Sequence, residues 1–198
     1  MRFFCIDFET NGFPTKDAPL HDRPLPFSSY PIQVSVDVVD PMAPVLCVEH
    51  IYDAYIRGAT RLAPWVRQNV PVSLADLDEG KGLRQIIDDL AGLLREGDTI
   101  VAHNAHFDLN VGLARAATRL GIDTPELRRV LEAPRFCTMR CEYTRFVFGR
   151  LPKLADLCAH FEILLEHAHD ATADSAALAE CASIQNFSRA TTIQQWTI

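Results

Sequence analysis

The chain opens with a short apolar run that closes on a charge, Arg2-Phe-Phe-Cys-Ile-Asp7, and this reads as a buried strand. The runs that follow set the fold class. Ile32 to Val39, rich in Ile and Val, predicts a second strand, and Val45 to Ile51 a third, turned back at Asp40-Pro41 so that the sheet begins antiparallel. Helical spacing then takes over. Leu83, Ile86, Ile87, Leu90, Leu93 and Leu94 share one face of a helix predicted over 82–96 and stopped by Gly97. Thr99 to His103 returns to a buried strand, followed by a helix over 104–120 that stops at Gly121. Further helices are predicted over 153–161 and 171–187, with a short one at 139–148. Residues 52–80 are punctuated by Gly58, Pro64 and Pro71 and support only a short helix at Leu74–Leu77. Five of the twelve prolines lie between Pro14 and Pro31, which predicts a long irregular loop after the first strand. Strands first, then strands alternating with helices, predict an α/β fold with a mixed sheet.

A chain of 198 residues fills one compact core, so a single domain over 1–198 is expected. No stretch approaches the roughly 18 uncharged apolar residues of a membrane span. Asp7 and Glu9 come too early for a secretory leader. The six cysteines are scattered, without a Cys-x-x-Cys pair, which disfavours a disulfide scaffold or a zinc ribbon and points to a reducing, intracellular and cytoplasmic setting. Cys137 and Cys141 are half of a metal site at most, and no second pair follows them. The net charge of −7 argues against coating nucleic acid by bulk electrostatics. That sum hides a split: residues 110–153 carry nine basic and four acidic side chains, a balance of +5 against −12 for the remainder. Solvated helix faces explain such a split, and so does a protein that gathers carboxylates for metal in one place and attracts phosphate nearby.

Three constellations carry chemistry. Asp7 and Glu9 lie two apart at the end of the first strand, on the same face, beside the turn Asn11-Gly12. Acids at a strand's end occupy the place where α/β proteins put active sites. The second constellation, His103-Asn104-Ala105-His106-Phe107-Asp108, straddles the change from strand to helix, where Asp108 also suits the helix dipole and Asn104 an N-cap. In the third, His169-Asp170-Ala171-Thr172-Ala173-Asp174, Asp170 suits an N-cap at the next helix start. Each constellation taken alone also reads as ordinary strand-edge, capping or surface polarity.

Taken together and in this order, Asp7-x-Glu9, His103-Asn104-x-x-Phe107-Asp108 and His169 with Asp174 five residues later resemble the three motifs of the DnaQ-like (DEDDh) 3′-to-5′ exonuclease family. Leu151-Pro152-x-Leu154-x-x-Leu157-Cys158 is similar to the family's linker into its last motif. The resemblance implies a ribonuclease H-like fold and metal-dependent hydrolysis of phosphodiester bonds from a free 3′ end of single-stranded DNA or RNA, releasing nucleoside 5′-monophosphates. It implies two divalent cations, Mg²⁺ or Mn²⁺. Asp7 would bridge both, Glu9 and Asp174 would complete the site for the attacking water, and Asp108 would serve the second. His169 would take the proton from that water, as suits an imidazole, whose ordinary pKa is about 6.5. A sister branch uses tyrosine four residues before the last acid, where this chain has Asp170.

Elementary electrostatics leads to a similar place. Four carboxylates in one pocket either take up protons or are neutralised by cations, and an all-oxygen donor set selects hard ions over zinc.

The resemblance also places Thr10, Asn11, Gly12 and Phe13 against the terminal nucleotide, with His103, Asn104 and Phe107 lining the same pocket. The basic run from Arg128 to Lys153 is the candidate path for the strand's backbone. A non-catalytic nucleic-acid-binding subunit and a proofreading partner of a polymerase are the alternatives on the same fold, a tail over 188–198 offering a docking segment. A homodimer is compatible with both.

Overall fold

The computed structural model describes residues 2–12 and 29–195, with side chains through Asn186. Strand β1 (Phe3–Thr10) sends alternate side chains to opposite faces: Phe4, Ile6 and Phe8 enter the main core, while Phe3 and Cys5 enter a smaller one under the C-terminal helix. It pairs antiparallel with β2 (Pro31–Val39), which pairs antiparallel with β3 (Glu49–Arg57). The antiparallel start is as expected, but the third strand lies later than 45–51. Val45 and Leu46 are exposed, and the ladder begins at Val38 with Glu49. A short apolar run carries no information about register; pairing with β2 decides it.

Helices α1 (Pro64–Asn69) and α2 (Leu74–Glu79) cross the segment broken by prolines, the second held by a Ser73–Asp76 capping box. The two-residue strand β4 (Lys81–Gly82) leads into α3 (Leu83–Leu93), which buries Leu83, Ile86, Ile87 and Leu90. β5 (Thr99–Ala102) runs parallel to β1.

The helix expected over 104–120 begins at His106. It is π-wound over His106–Ala114 and continues as α4 (Arg115–Arg119). Asn104 is not its N-cap: the residue takes a left-handed φ of 76°, and its carbonyl accepts the Phe107 N–H. α5 (Pro125–Glu132) and β6 (Arg135–Cys137) were not foreseen, although Thr124 with Pro125 is a legible cap and first-turn pair.

α6 (Glu142–Phe148), α7 (Leu154–His160) and α8 (Ala171–Gln195) complete the chain. α8 outruns its expected end, so the segment expected as a tail is helical through Gln195. The sheet order is β4-β3-β2-β1-β5-β6, a mixed sheet flanked by helices, as a ribonuclease H-like fold requires. Phe13 and the proline-rich stretch through residue 28 fall outside the described residues; Ser29 and Tyr30 are described, and Pro31 opens β2. No described helix is long and apolar enough to cross a membrane.

Candidate active site

The face of β1 that buries Phe3 and Cys5 ends in Asp7 and Glu9. Opposite them, β2 alternates in the same way: Ile32, Val34, Val36 and Val38 enter the main core, and Gln33, Ser35 and Asp37 form a buried polar stripe on the other face. The antiparallel register sets Cys5 against Asp37, Asp7 against Ser35 and Glu9 against Gln33.

α8 lies over this stripe. Leu178, Ala179 and Ala182 pack on Phe3, Cys5, Val39 and Val101, and the small volume of the two alanines lets the helix approach closely. Nearer its N-terminus the contacts turn polar. Ser175 Oγ donates to the Asp37 carboxylate and lies 2.9 Å from Ser35 Oγ. Gln33 Nε2 donates to Asp170 Oδ1 at 3.1 Å, and the same oxygen accepts the Thr172 N–H at 3.1 Å, so Asp170 is the expected N-cap. The first turn of α8 is thereby set over the end of β1, which brings in Asp174.

Asp108 arrives from the other side. β5 pairs with β1 only from Phe3 to Cys5 and ends at Ala102, while β1 continues to Thr10. In the opening beyond β5, the Phe8 N–H donates to Asp108 Oδ1 at 3.3 Å, satisfying a backbone donor that would otherwise be buried and unpaired. The four acids thus meet at the carboxyl ends of two parallel strands. His169, exposed and at a left-handed φ of 72°, turns its N–H onto Asp174 Oδ2 at 3.2 Å. One donor atom each from Glu9, His169 and Asp174 lies within 4.8 Å of the others.

The electrostatics reflect this crowding. Burial, then the charges of Asp108, Glu9, Asp174 and Asp170, hold the Asp7 carboxyl well above its ordinary value. Burial first and neighbouring acids second push Glu9 up to about 8; burial pushes Asp108 up to about 8 against the Phe8 hydrogen bond. Asp174 is also raised, burial again leading. Asp108 and Asp174 are only 3% and 8% exposed, and Asp108 Oδ2 and Asp174 Oδ1 have no hydrogen-bond partner among the described residues. Buried, unpartnered carboxylate oxygens beside two further acids fit hard divalent cations, which supply the missing partners and the missing charge together.

The profile of the RNase_T exonuclease family matches residues 4–182. The chain belongs to that family. No curated protein sequence matches it. Among solved structures, a 3′-exonuclease described as recognising the 3′ end of a histone mRNA stem-loop superposes with a TM-score of 0.70 at 14% identity, over 94% of this chain and 82% of that one. The nuclease domain of 3′hExo, a DEDDh family member bound to rAMP, gives 0.65 at 14% identity over 94% and 92%. E. coli Exonuclease I with a dT13 oligonucleotide gives 0.70 at 17% identity, over 98% of this chain and 43% of that one, so the chain spans less than half of Exonuclease I.

In this RNase_T member the residues expected around the terminal nucleotide divide into two groups. Asn11 is a stitch: its N–H donates to the Tyr30 carbonyl, its Oδ1 accepts the Tyr30 N–H at 2.9 Å, and its carbonyl accepts the Ala63 N–H. Thr10 is buried and its hydroxyl donates to the Gly12 carbonyl at 3.1 Å. At Gly12 an added Cβ would lie 3.1 Å from Ala63 Cβ, so the loop is packed tightly there. His103 has both ring nitrogens engaged, Nδ1 by the Thr138 hydroxyl at 2.9 Å and Nε2 by the Pro152 carbonyl at 3.1 Å, and burial holds its imidazole below the ordinary value. Thr10, Asn11 and His103 thus all make hydrogen bonds within the chain. Asn104 and Phe107 are half-buried at the start of the π-helix, next to Asp108.

Two neighbours of the site escaped the sequence reading. Gln33 holds the Asp170 cap, and the polar residues alternating through an otherwise apolar strand were its legible sign. Trp65 on α1 sets its ring edge-on to His169, centroids 4.8 Å apart, and no local pattern links positions 104 residues apart.

Proposed function

We propose that this chain is a metal-dependent 3′-to-5′ exonuclease that removes nucleoside 5′-monophosphates from the free end of single-stranded DNA or RNA. The observation that carries the reading is the meeting of Asp7, Glu9, Asp108 and Asp174 at the end of β1, with the donor atoms of Glu9, His169 and Asp174 within 4.8 Å. The structural neighbours support it, one described as a 3′-exonuclease and another as Exonuclease I in complex with a dT13 oligonucleotide.

Asp7, central to the cluster, would contact both of two divalent cations, Mg²⁺ or Mn²⁺. Glu9 and Asp174 would complete one position and Asp108 the other. When bound, the cations neutralise the four acids and polarise the scissile phosphate. The chain's own residues do the rest. Asp108 keeps its place through the Phe8 N–H, and Asp174 through the His169 N–H. The His169 imidazole, exposed beside Glu9 and Asp174, accepts the proton of the attacking water. Phe107, half-buried with Asn104, offers an aromatic face to the terminal base, and such stacking tolerates any base. All five catalytic positions carry competent groups, which leaves nothing to favour a purely binding role.

The test uses 5′-labelled single-stranded DNA, single-stranded RNA and a mismatched duplex, each with Mg²⁺, Mn²⁺ or EDTA. A ladder shortening one nucleotide at a time in metal, and none in EDTA, is expected. Intact oligonucleotide in every metal, or shortening from the 5′ end seen with a 3′ label, refutes the proposal.

A further inference from the structure

The basic residues of the run from Arg128 to Lys153 separate into two populations once their partners are known. Arg128 pairs with Asp123 at 2.8 Å, Arg129 donates to the Leu94 carbonyl at 2.5 Å, and Arg135 reaches Asn110 and the Leu131 carbonyl. These arginines are engaged within the chain. Arg150 is matched by Asp156 at 2.9 Å. Arg140, Arg145 and Lys153 are exposed; no side-chain hydrogen bond or ion pair engages the two arginines among the described residues, while Lys153 feels the nearby Asp156 carboxylate.

These three cations share one short segment with the most exposed large apolar side chain described. Phe146 on α6 is 91% exposed, flanked by the exposed Val147 and Leu151. The helix beneath it is firmly seated. Thr144 is buried, its hydroxyl donating to the Thr138 carbonyl at 2.6 Å and accepting from Gln185 Nε2 at 2.7 Å, and Tyr143 stacks on Phe161 with centroids 5.6 Å apart. A rigid helix that keeps an aromatic ring in water and leaves its arginine unpaired has the chemistry of a stacking platform for a polyanion. The segment also starts and ends at the site: Thr138 and Pro152 both bond His103, five residues before Asp108. α6 then reaches Gln185, eleven residues beyond Asp174 along α8, a span of about 16 Å at 1.5 Å per residue. That is room for several nucleotides leading away from the acids. In a chain of net charge −7, a local surplus of cations is what would draw a phosphate strand toward an acidic centre.

We propose that α6 and the loop after it, through Phe146, Arg140, Arg145 and Lys153, hold the nucleotides upstream of the one being removed from a single-stranded substrate. This rests on the exonuclease reading above. It narrows the candidate path of residues 128–153 to its second half.

The test is fluorescence anisotropy of labelled single-stranded DNA, a 20-mer and a trinucleotide, binding the wild-type chain, Phe146→Ala and Arg145→Ala in Ca²⁺. Each substitution should weaken the 20-mer about tenfold and leave the trinucleotide within twofold. Arg145→Ala should also reduce the slope of log affinity against log salt by about 0.7, the share of one phosphate contact on a single strand. Hydrolysis of the p-nitrophenyl ester of thymidine 5′-monophosphate should be unchanged in both variants, since it has no upstream strand. Affinity for the 20-mer within twofold of wild type, or equal losses at both lengths, overturns the proposal. So does a change in molar mass by light scattering in Phe146→Ala, which would assign the patch to a second copy. A wild-type chain that binds the 20-mer through these residues but cuts nothing would count against the proposed activity and leave this surface standing.

Discussion

Asp108→Asn should stabilise the cation-free protein while disabling the site. Burial pushes the Asp108 carboxyl from its ordinary 3.8 up to about 8, so at pH 7 it is protonated in the folded chain and ionised in the unfolded one. Loading that proton on folding costs about 4 kcal/mol at pH 7. The neighbouring acids share the protons, so we take half, about 2 kcal/mol, as the recoverable part. An amide needs no proton. Its oxygen still accepts the Phe8 N–H, but its NH₂ brings two donors where the protonated acid has one, and the extra buried donor offsets about 1 kcal/mol, leaving a net gain of about 1 kcal/mol. The melting temperature in EDTA at pH 7 should rise by roughly 2–4 °C for a domain of this size. The sign follows from the raised value. Stability associated with such a group is fully present below the unfolded value of 3.8 and lost as pH rises through about 8. The advantage of the variant should therefore vanish near pH 3.8, grow through neutrality and level off above pH 8. Saturating Mn²⁺ should reverse the order, raising the wild-type melting temperature and hardly that of the variant. Scanning calorimetry at several pH values, with EDTA or Mn²⁺, reads all of this. A variant no more stable than wild type in EDTA at pH 7, or a gain of equal size at pH 4 and pH 8, refutes the reasoning.

Asp7→Asn should abolish measurable cleavage of a labelled oligonucleotide with an unchanged circular dichroism spectrum, since Asp7 feels the charge of every other acid in the cluster. His169→Ala should lower kcat by on the order of 10²–10⁴, the usual contribution of a general base, with partial recovery in added imidazole. Trp65→Ala should lower kcat by roughly 2- to 12-fold, the equivalent of one aromatic pair, and Trp65→Phe should restore most of it. Ser175→Ala removes a donor from buried Asp37 and should cost about 1–3 kcal/mol, read as a lower urea midpoint at constant m-value.

Local pattern made much of this protein legible. The acids two apart on β1, the helix-start position of Asp108 and the Asp170 cap ahead of Asp174 are all short-range relations, written by the periods of strand and helix. The mixed α/β architecture follows from the same periods taken in order. Where they were weak, the sequence misled: Val45 to Cys47 has strand composition yet lies outside the ladder, and α5 with β6 passed unseen behind a cap that was there to read.

What remained hidden lies between elements. Nothing near Gln33 or Trp65 announces that one will hold the Asp170 cap and the other the His169 ring. Nothing near His103 announces that Thr138 and Pro152 will engage both its ring nitrogens. The basic run is uniform as text and divides only when each guanidinium's partner is known. The sequence by itself determined which chemical groups the site contains, because spacing along a strand or helix is a local property of the backbone. The tertiary structure decided which of them are raised, orphaned or already taken, because burial and charge proximity arise only when distant segments pack together.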